Sequence, residues 1–130
     1  MPIIRVDVPE GQSREKLLEL RRRVRDAVAR TWAKEHIYVA MREMIVDPGE
    51  CTIVVTVDLR AGRGYEEQRA AALYREIVHA LRQGMKVDEN RFVLLIREFP
   101  ERCFVVSGGQ RLPPLEQITP ELAEAVVRSA

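Results

Sequence analysis

The stretch Met1-Pro2-Ile3-Ile4-Arg5-Val6-Asp7-Val8 decides how the chain folds. Its β-branched residues, alternating with polar ones after Ile4, spell a strand, and Pro9-Glu10-Gly11 ends it. The same closing pattern returns later: Asp7-Val8 with Gly11 is matched by Asp58-Leu59 with Gly62, 51 residues further on. Leu20, Val24 and Val28 are matched by Leu73, Ile77 and Leu81 at a separation of 53, and Arg42-Glu43-Met44 by Arg97-Glu98-Phe99 at 55. A pattern repeated in order, with a slowly growing separation, marks a duplicated unit with small loop insertions.

Each unit reads as β-α-β. In the first, residues 2–46, Ser13 caps a helix whose apolar stripe is Leu17, Leu20, Val24, Val28 and Thr31, with Trp32 sealing its end. A strand follows at Ile37–Met41 and finishes in Arg42-Glu43-Met44, and the loop Asp47–Glu50 closes the unit. The second, residues 51–109, has a strand at Thr52–Leu59, a turn Arg60–Gly64, a helix facing inward with Leu73, Ile77 and Leu81, and a strand at Asn90–Ile96. A hairpin arm, Cys103–Val106 with the turn Ser107-Gly108-Gly109, completes it. Thr119-Pro120 is a helix start, which predicts a tail helix over about 119–129. The expected fold is a single α+β domain with a four-stranded mixed sheet and two helices on one face. Leu94-Leu95-Ile96 in succession suggests that both sheet faces are apolar, so the uncovered face calls for another subunit, with Arg42 and Arg97 as ion partners across that interface.

Composition narrows the function. In 130 residues, 21 basic and 20 acidic side chains leave a net charge of +1, which gives no global attraction to nucleic acid or to membrane surfaces. Arg21-Arg22-Arg23 lies among helix-periodic leucines and reads as a solvated helix face. No apolar stretch is long enough to span a bilayer and no signal-peptide pattern opens the chain, so a cytoplasmic protein is expected. Cys51 and Cys103, with His36 and His79 scattered, form no metal-ligand spacing; neither a metal nor another cofactor is expected.

The chemistry turns on Pro2. An interior proline only fixes its own φ and lacks an N–H. If Met1 is removed, Pro2 carries a secondary amine, and nearby cations or burial would lower its pKa until it could act as a base near neutral pH. Arg60 and Arg63, on the turn after the third strand, offer the two-donor guanidinium edge that suits a carboxylate.

Pro2, the duplicated β-α-β pattern and these arginines together resemble the tautomerase superfamily, whose members use an amino-terminal proline. Glu10-Gly11, Ser13, Glu43-Met44, Gly62-Arg63, Phe104 and Gly108-Gly109 match the family pattern in order. Arg60 and Arg63 match the arginine pair of the fused double-unit subgroup, which includes cis-3-chloroacrylic acid dehalogenase and malonate semialdehyde decarboxylase. The resemblance implies a homotrimer acting on a small unsaturated 2-oxo or enol carboxylate. Pro2 would be general base and acid, Arg60 and Arg63 would hold the carboxylate, Tyr38 would orient the substrate and Phe104 would supply an apolar wall. The chain also departs from the pattern: Gln12 stands where the short enzymes have a substrate-binding arginine. Val28, Leu95 and Val106 stand where the dehalogenase has its histidine, tyrosine and water-activating glutamate, and the decarboxylase aspartate has no counterpart. A lyase of the dehalogenase, hydratase or decarboxylase type, or a trimer that keeps the fold without catalysis, are the alternatives.

Overall fold

Alternation along the strands sorts their side chains into two sets, and the helices settle on the set that is continuously apolar. In the computed structural model, which describes residues 2–32, 36–84, 91–111 and 120–121, the order is β1 (Ile3–Pro9), α1 (Arg14–Thr31), β2 (Tyr38–Met44), β3 (Ile53–Arg60), α2 (Glu66–Gly84), β4 (Phe92–Phe99), β5 (Val105–Val106) and β6 (Gln110–Arg111). The main sheet runs β2-β1-β3-β4. Within each unit the strands are parallel, and the two units join through the antiparallel pair β1–β3. The fold is thus α+β, with a mixed four-stranded sheet and two helices, as the repeat predicts.

Ile4, Val6 and Val8 of β1 and Ile53, Val55, Val57 and Leu59 of β3 form the centre of the core. Against them lie Leu20, Val24, Ala27 and Val28 of α1 and Leu73, Ile77 and Leu81 of α2. Each valine, leucine or isoleucine among them, taken out of water, contributes about 1.5–3 kcal/mol before conformational entropy is set against it. Helix α1 starts where Ser13, in extended conformation, accepts a hydrogen bond from the Lys16 N–H at 3.2 Å. It ends at Trp32, whose N–H closes onto the Val28 carbonyl at 2.8 Å while its ring is buried. Across the helix pair, Arg30 meets Glu76 at 2.5 Å and Arg23 donates to Gln83.

The duplication is visible in single bonds. Asp7 faces Arg42 in the β1–β2 register, and Asp58 faces Arg97 in β3–β4. Both are two-bond ion pairs: Arg42 to Asp7 at 2.9 and 3.1 Å, and Arg97 to Asp58 at 2.7 and 3.0 Å. The Glu10 N–H donates to the Met44 carbonyl at 3.0 Å just as the Ala61 N–H donates to that of Phe99 at 2.8 Å. Gly11 and Gly62 hold the same left-handed turn, φ 98° and 95°, that a Cβ would oppose.

Several expectations change. The face away from the helices is not uniformly apolar: Tyr38, Val93 and Leu95 are exposed there, but among them run Arg5, Asp7, Arg42, Asp58 and Arg97. Leu94 and Ile96, being next to Leu95, point instead toward the helices and pack on the core. Arg42 and Arg97 are ion-paired within the chain, because each lies in register with an aspartate on the neighbouring strand. The arm is also shorter than expected: Cys103 ends a 3-10 turn, Phe104 is irregular, and only Val105–Val106 pairs with Gln110–Arg111. β4 begins at Phe92 and runs on to Phe99 rather than ending at Ile96. Of the predicted tail helix, Pro120 and Glu121 are helical and the remainder lies outside the described residues.

Replacing Leu73, fully buried between α2 and the sheet, by alanine should cost about 2–5 kcal/mol in urea unfolding. Leu18→Ala, on the exposed side of α1, should change stability by no more than about 0.5 kcal/mol.

Candidate active site

Because β1 runs against β3, the start of the first strand meets the end of the third. Ile3 faces Asp58, which sets the buried Pro2 at the sheet end where Arg60 closes β3. The Pro2 carbonyl accepts the Tyr38 N–H at 2.9 Å, so the start of β2 comes to the same edge. On the other side Arg60 faces Phe99. Register alone therefore brings Pro2, Tyr38, Arg60 and Phe99 to one end of the sheet. Arg60 is the last residue of β3, not a turn residue, and is only 4% exposed, whereas Tyr38 is 51% exposed.

Beside this end lies a cleft of ≈ 270 Å³ lined by Ile3, Asp58, Phe99, Cys103, Phe104, Val105 and Val106. Phe104 meets Phe99 edge-to-face, with ring centres 6.1 Å apart. The short arm carries Phe104 and Val106 over the sheet, and its turn is made by Gly108 and Gly109, both with positive φ. Asp58, at the cleft wall, is held by Arg97 and reached by Arg5 at 3.5 Å.

Arg63 sits elsewhere in detail. It lies in the loop between β3 and α2, half-buried, and its Nη1 donates to the Trp32 carbonyl at 2.6 Å, at the C-terminal end of α1. That loop is backbone-strained, since Tyr65 takes φ 55° between Gly64 and α2.

Sequence reasoning overlooked Arg69. It is 1% exposed, donates Nε to the Thr31 carbonyl at 2.9 Å and Nη2 to that of Trp32, and lies over the Trp32 ring, 4.6 Å from its centre. A cation on the last carbonyls of a helix is where the helix dipole favours it. Burial, and then the charge of Arg63, push the Arg69 pKa down to about 10, so it stays cationic at neutral pH. The first turn of α2 reads as a charged surface (Glu66-Glu67-Gln68-Arg69), and only the nearby Trp32, whose burial the sequence did signal, could have hinted that this arginine turns inward.

Carboxylates complete the cluster. Glu66 turns back to accept the Gly64 N–H at 2.9 Å, and backbone donors hold its carboxyl below the usual range. Glu98, at the end of β4, is pushed up by burial and then by the charge of Glu66, with Arg69 acting in the opposite sense. Among the described residues, no group of three or more histidine, cysteine or acidic side chains is placed to hold a metal ion.

The architecture and the position of this end define a class: a fused, double β-α-β tautomerase-type fold. Among solved structures, the chain is similar to a wild-type fused 4-OT, Q0, described as a symmetric trimer (TM-score 0.72, 23% identity, 84% of this chain and 94% of that chain). It is similar also to FG41 malonate semialdehyde decarboxylase inhibited by 3-bromopropiolate (TM-score 0.66, 20% identity, 83% and 91%). A macrophage migration inhibitory factor-like protein from Entamoeba histolytica shares the fold at 9% identity (TM-score 0.69, 82% and 95%). No protein-family model matches the sequence, and no curated protein matches it.

A carboxyl raised in the folded state binds its proton more tightly there than in the unfolded chain. The stability Glu98 contributes is therefore present below the unfolded carboxylate pKa and fades as pH rises through the folded value. Glu98→Gln should raise Tm slightly at about pH 7 and give no gain at about pH 4. Thermal melts of both proteins at the two pH values check this.

Proposed function

We propose that the protein is a proline-dependent tautomerase acting on a small unsaturated 2-oxo or enol carboxylate. The observation that carries this reading is that strand register brings Pro2 and Arg60 to the sheet end beside which an aromatic-walled cleft lies. With Met1 removed, the Pro2 nitrogen becomes an amine rather than an amide. Arg60 would favour its neutral form and, with substrate present, bind the carboxylate, and Arg63 would join it by exchanging its bond to the Trp32 carbonyl for one to the substrate. Neutral Pro2 then takes a proton from the enol hydroxyl, or from the carbon beside the carbonyl, and returns it at the conjugated carbon. Arginine stabilises the charge that develops, and Phe104 and Phe99 keep water away. Tyr38, on the same edge, orients the substrate. The fold shared with fused 4-OT and with malonate semialdehyde decarboxylase supports small-carboxylate chemistry of this general kind.

Val106 favours isomerisation over hydration. A hydratase or hydrolytic dehalogenase must activate water with a placed base; Val106, at the position of the dehalogenase glutamate, cannot accept a proton, and the Asp58 carboxylate on the same wall is engaged by Arg97. Tautomerisation needs no activated water, so one amine that takes and returns a proton suffices.

The test compares, in one spectrophotometric assay, protein whose mass shows that Met1 is gone with Pro2→Ala and with protein that retains a residue ahead of Pro2. Enol-to-keto conversion of phenylenolpyruvate or 2-hydroxymuconate should fall to background in both altered forms, with 3-chloroacrylate dehalogenation weak or absent throughout. Full activity with Pro2 blocked would remove the proline base.

A homotrimer is proposed as the working assembly. The exposed Tyr38, Val93 and Leu95 on the uncovered sheet face, and the trimers described for the fused 4-OT structures, support it. Sedimentation equilibrium at micromolar protein should return three times the chain mass of 14.9 kDa; a mass near one chain would overturn it.

A further inference from the structure

We infer that the cleft selects a monocarboxylate whose far end is apolar, an aryl or branched alkyl group, over a dicarboxylate. This rests on the proposed reading of the site, which leaves both kinds of enol open. One end of the substrate is set by Arg60 and Pro2; what remains is the surface along which the other end must lie. That surface is the cleft, which continues from Ile3, beside Pro2, and from Phe99, the register partner of Arg60. Its walls are Ile3, Phe99, Phe104, Val105 and Val106, and among the described residues its lining includes no lysine or arginine.

A second carboxylate carried into such a space gives up its water and needs a cation in exchange. Two guanidinium groups beside the Asp58 wall are directed to its carboxylate. Arg97 spans both oxygens of Asp58 at 2.7 and 3.0 Å, and Arg5 approaches the same carboxylate at 3.5 Å. Asp58, which lines the cleft, holds these cations with a carboxylate of the same sign as the incoming one. An apolar end meets the opposite situation. Phe99 and Phe104 stand edge-to-face at 74°, a corner against which a further ring can stack or present its edge. The volume, ≈ 270 Å³, lies just below the range of about 300–1,000 Å³ that holds drug-sized ligands, which suits a single ring.

Two measurements test the selection, both on protein freed of Met1. The first is kcat/KM for phenylenolpyruvate and for 2-hydroxymuconate. The aryl substrate should be favoured by about ten-fold or more. Phe104→Ala should erase most of that preference, and Val106→Arg, which brings a cation to the wall, should narrow it by improving the dicarboxylate. The second measurement does not need turnover. Cys103 lines the cleft and Cys51 lies outside it beside Arg91, and both thiols are exposed. Iodoacetamide labelling, read by peptide mass spectrometry, should be slowed at Cys103 by 3-phenylpropanoate, much less by hexanedioate, and at Cys51 by neither.

Equal or better turnover of the dicarboxylate, with Cys103 protected equally by both acids, overturns the selection while leaving the proline mechanism standing. No protection of Cys103 by either acid also overturns it. Protection by the aryl acid alone, without turnover of either enol, removes the tautomerase reading and upholds the selectivity of the cleft.

Discussion

The antiparallel pairing of β1 with β3 is the constraint on which the rest depends. Each β-α-β unit is internally parallel and could bury only one flank of its sheet. Joining them edge to edge through Ile3–Asp7 and Val54–Asp58 makes one continuous sheet whose two central strands carry the most deeply buried core residues. The same pairing sets the beginning of one unit against the end of the other. A proline at the start of β1 and an arginine at the end of β3, far apart in sequence, come to the same end of the sheet without any loop having to reach for them.

The repeated pattern made the fold legible because it reports pairing as well as periodicity. Asp7 with Arg42 and Asp58 with Arg97 were readable as strand closings at matching positions, and they are cross-strand ion pairs. What the pattern does not reveal is that the register sets each arginine beside an aspartate of its own unit on the uncovered face. A run such as Leu94-Leu95-Ile96 has the same ambiguity. Three apolar residues in succession look buried on both faces, yet alternation sends Leu95 out and its neighbours in.

At the site, residues fixed by strand register were the easier to place. The candidates Pro2, Tyr38 and Arg60 reach one sheet end through β1, β2 and β3, and Phe104 lines the cleft beside it. Residues on the β3–α2 loop and the first turn of α2 were harder, since their directions depend on the strained backbone at Gly64 and Tyr65 and on the carbonyls at the end of α1. Arg69 shows the physical reason. Its charge suggests solvent, but three backbone carbonyls, of Thr31, Trp32 and Gly64, and an indole ring make a buried position tolerable, and no local pattern in its own helix announces them.

The paired aspartate–arginine bridges have a consequence for how the chain is divided. Each bridge closes within one unit, and so does each backbone bond that ties a strand end to the following turn. The seam between the units carries the β1–β3 ladder, the packing of α1 against α2, and polar links of its own, among them Arg30–Glu76 and the Arg69 bonds to the end of α1. Every half thus carries its own alignment marks, while cohesion belongs to the two together. A cut in the exposed turn around Asp47–Glu50 would sever no bridge, and each fragment would retain the marks that fix its register when the other half returns.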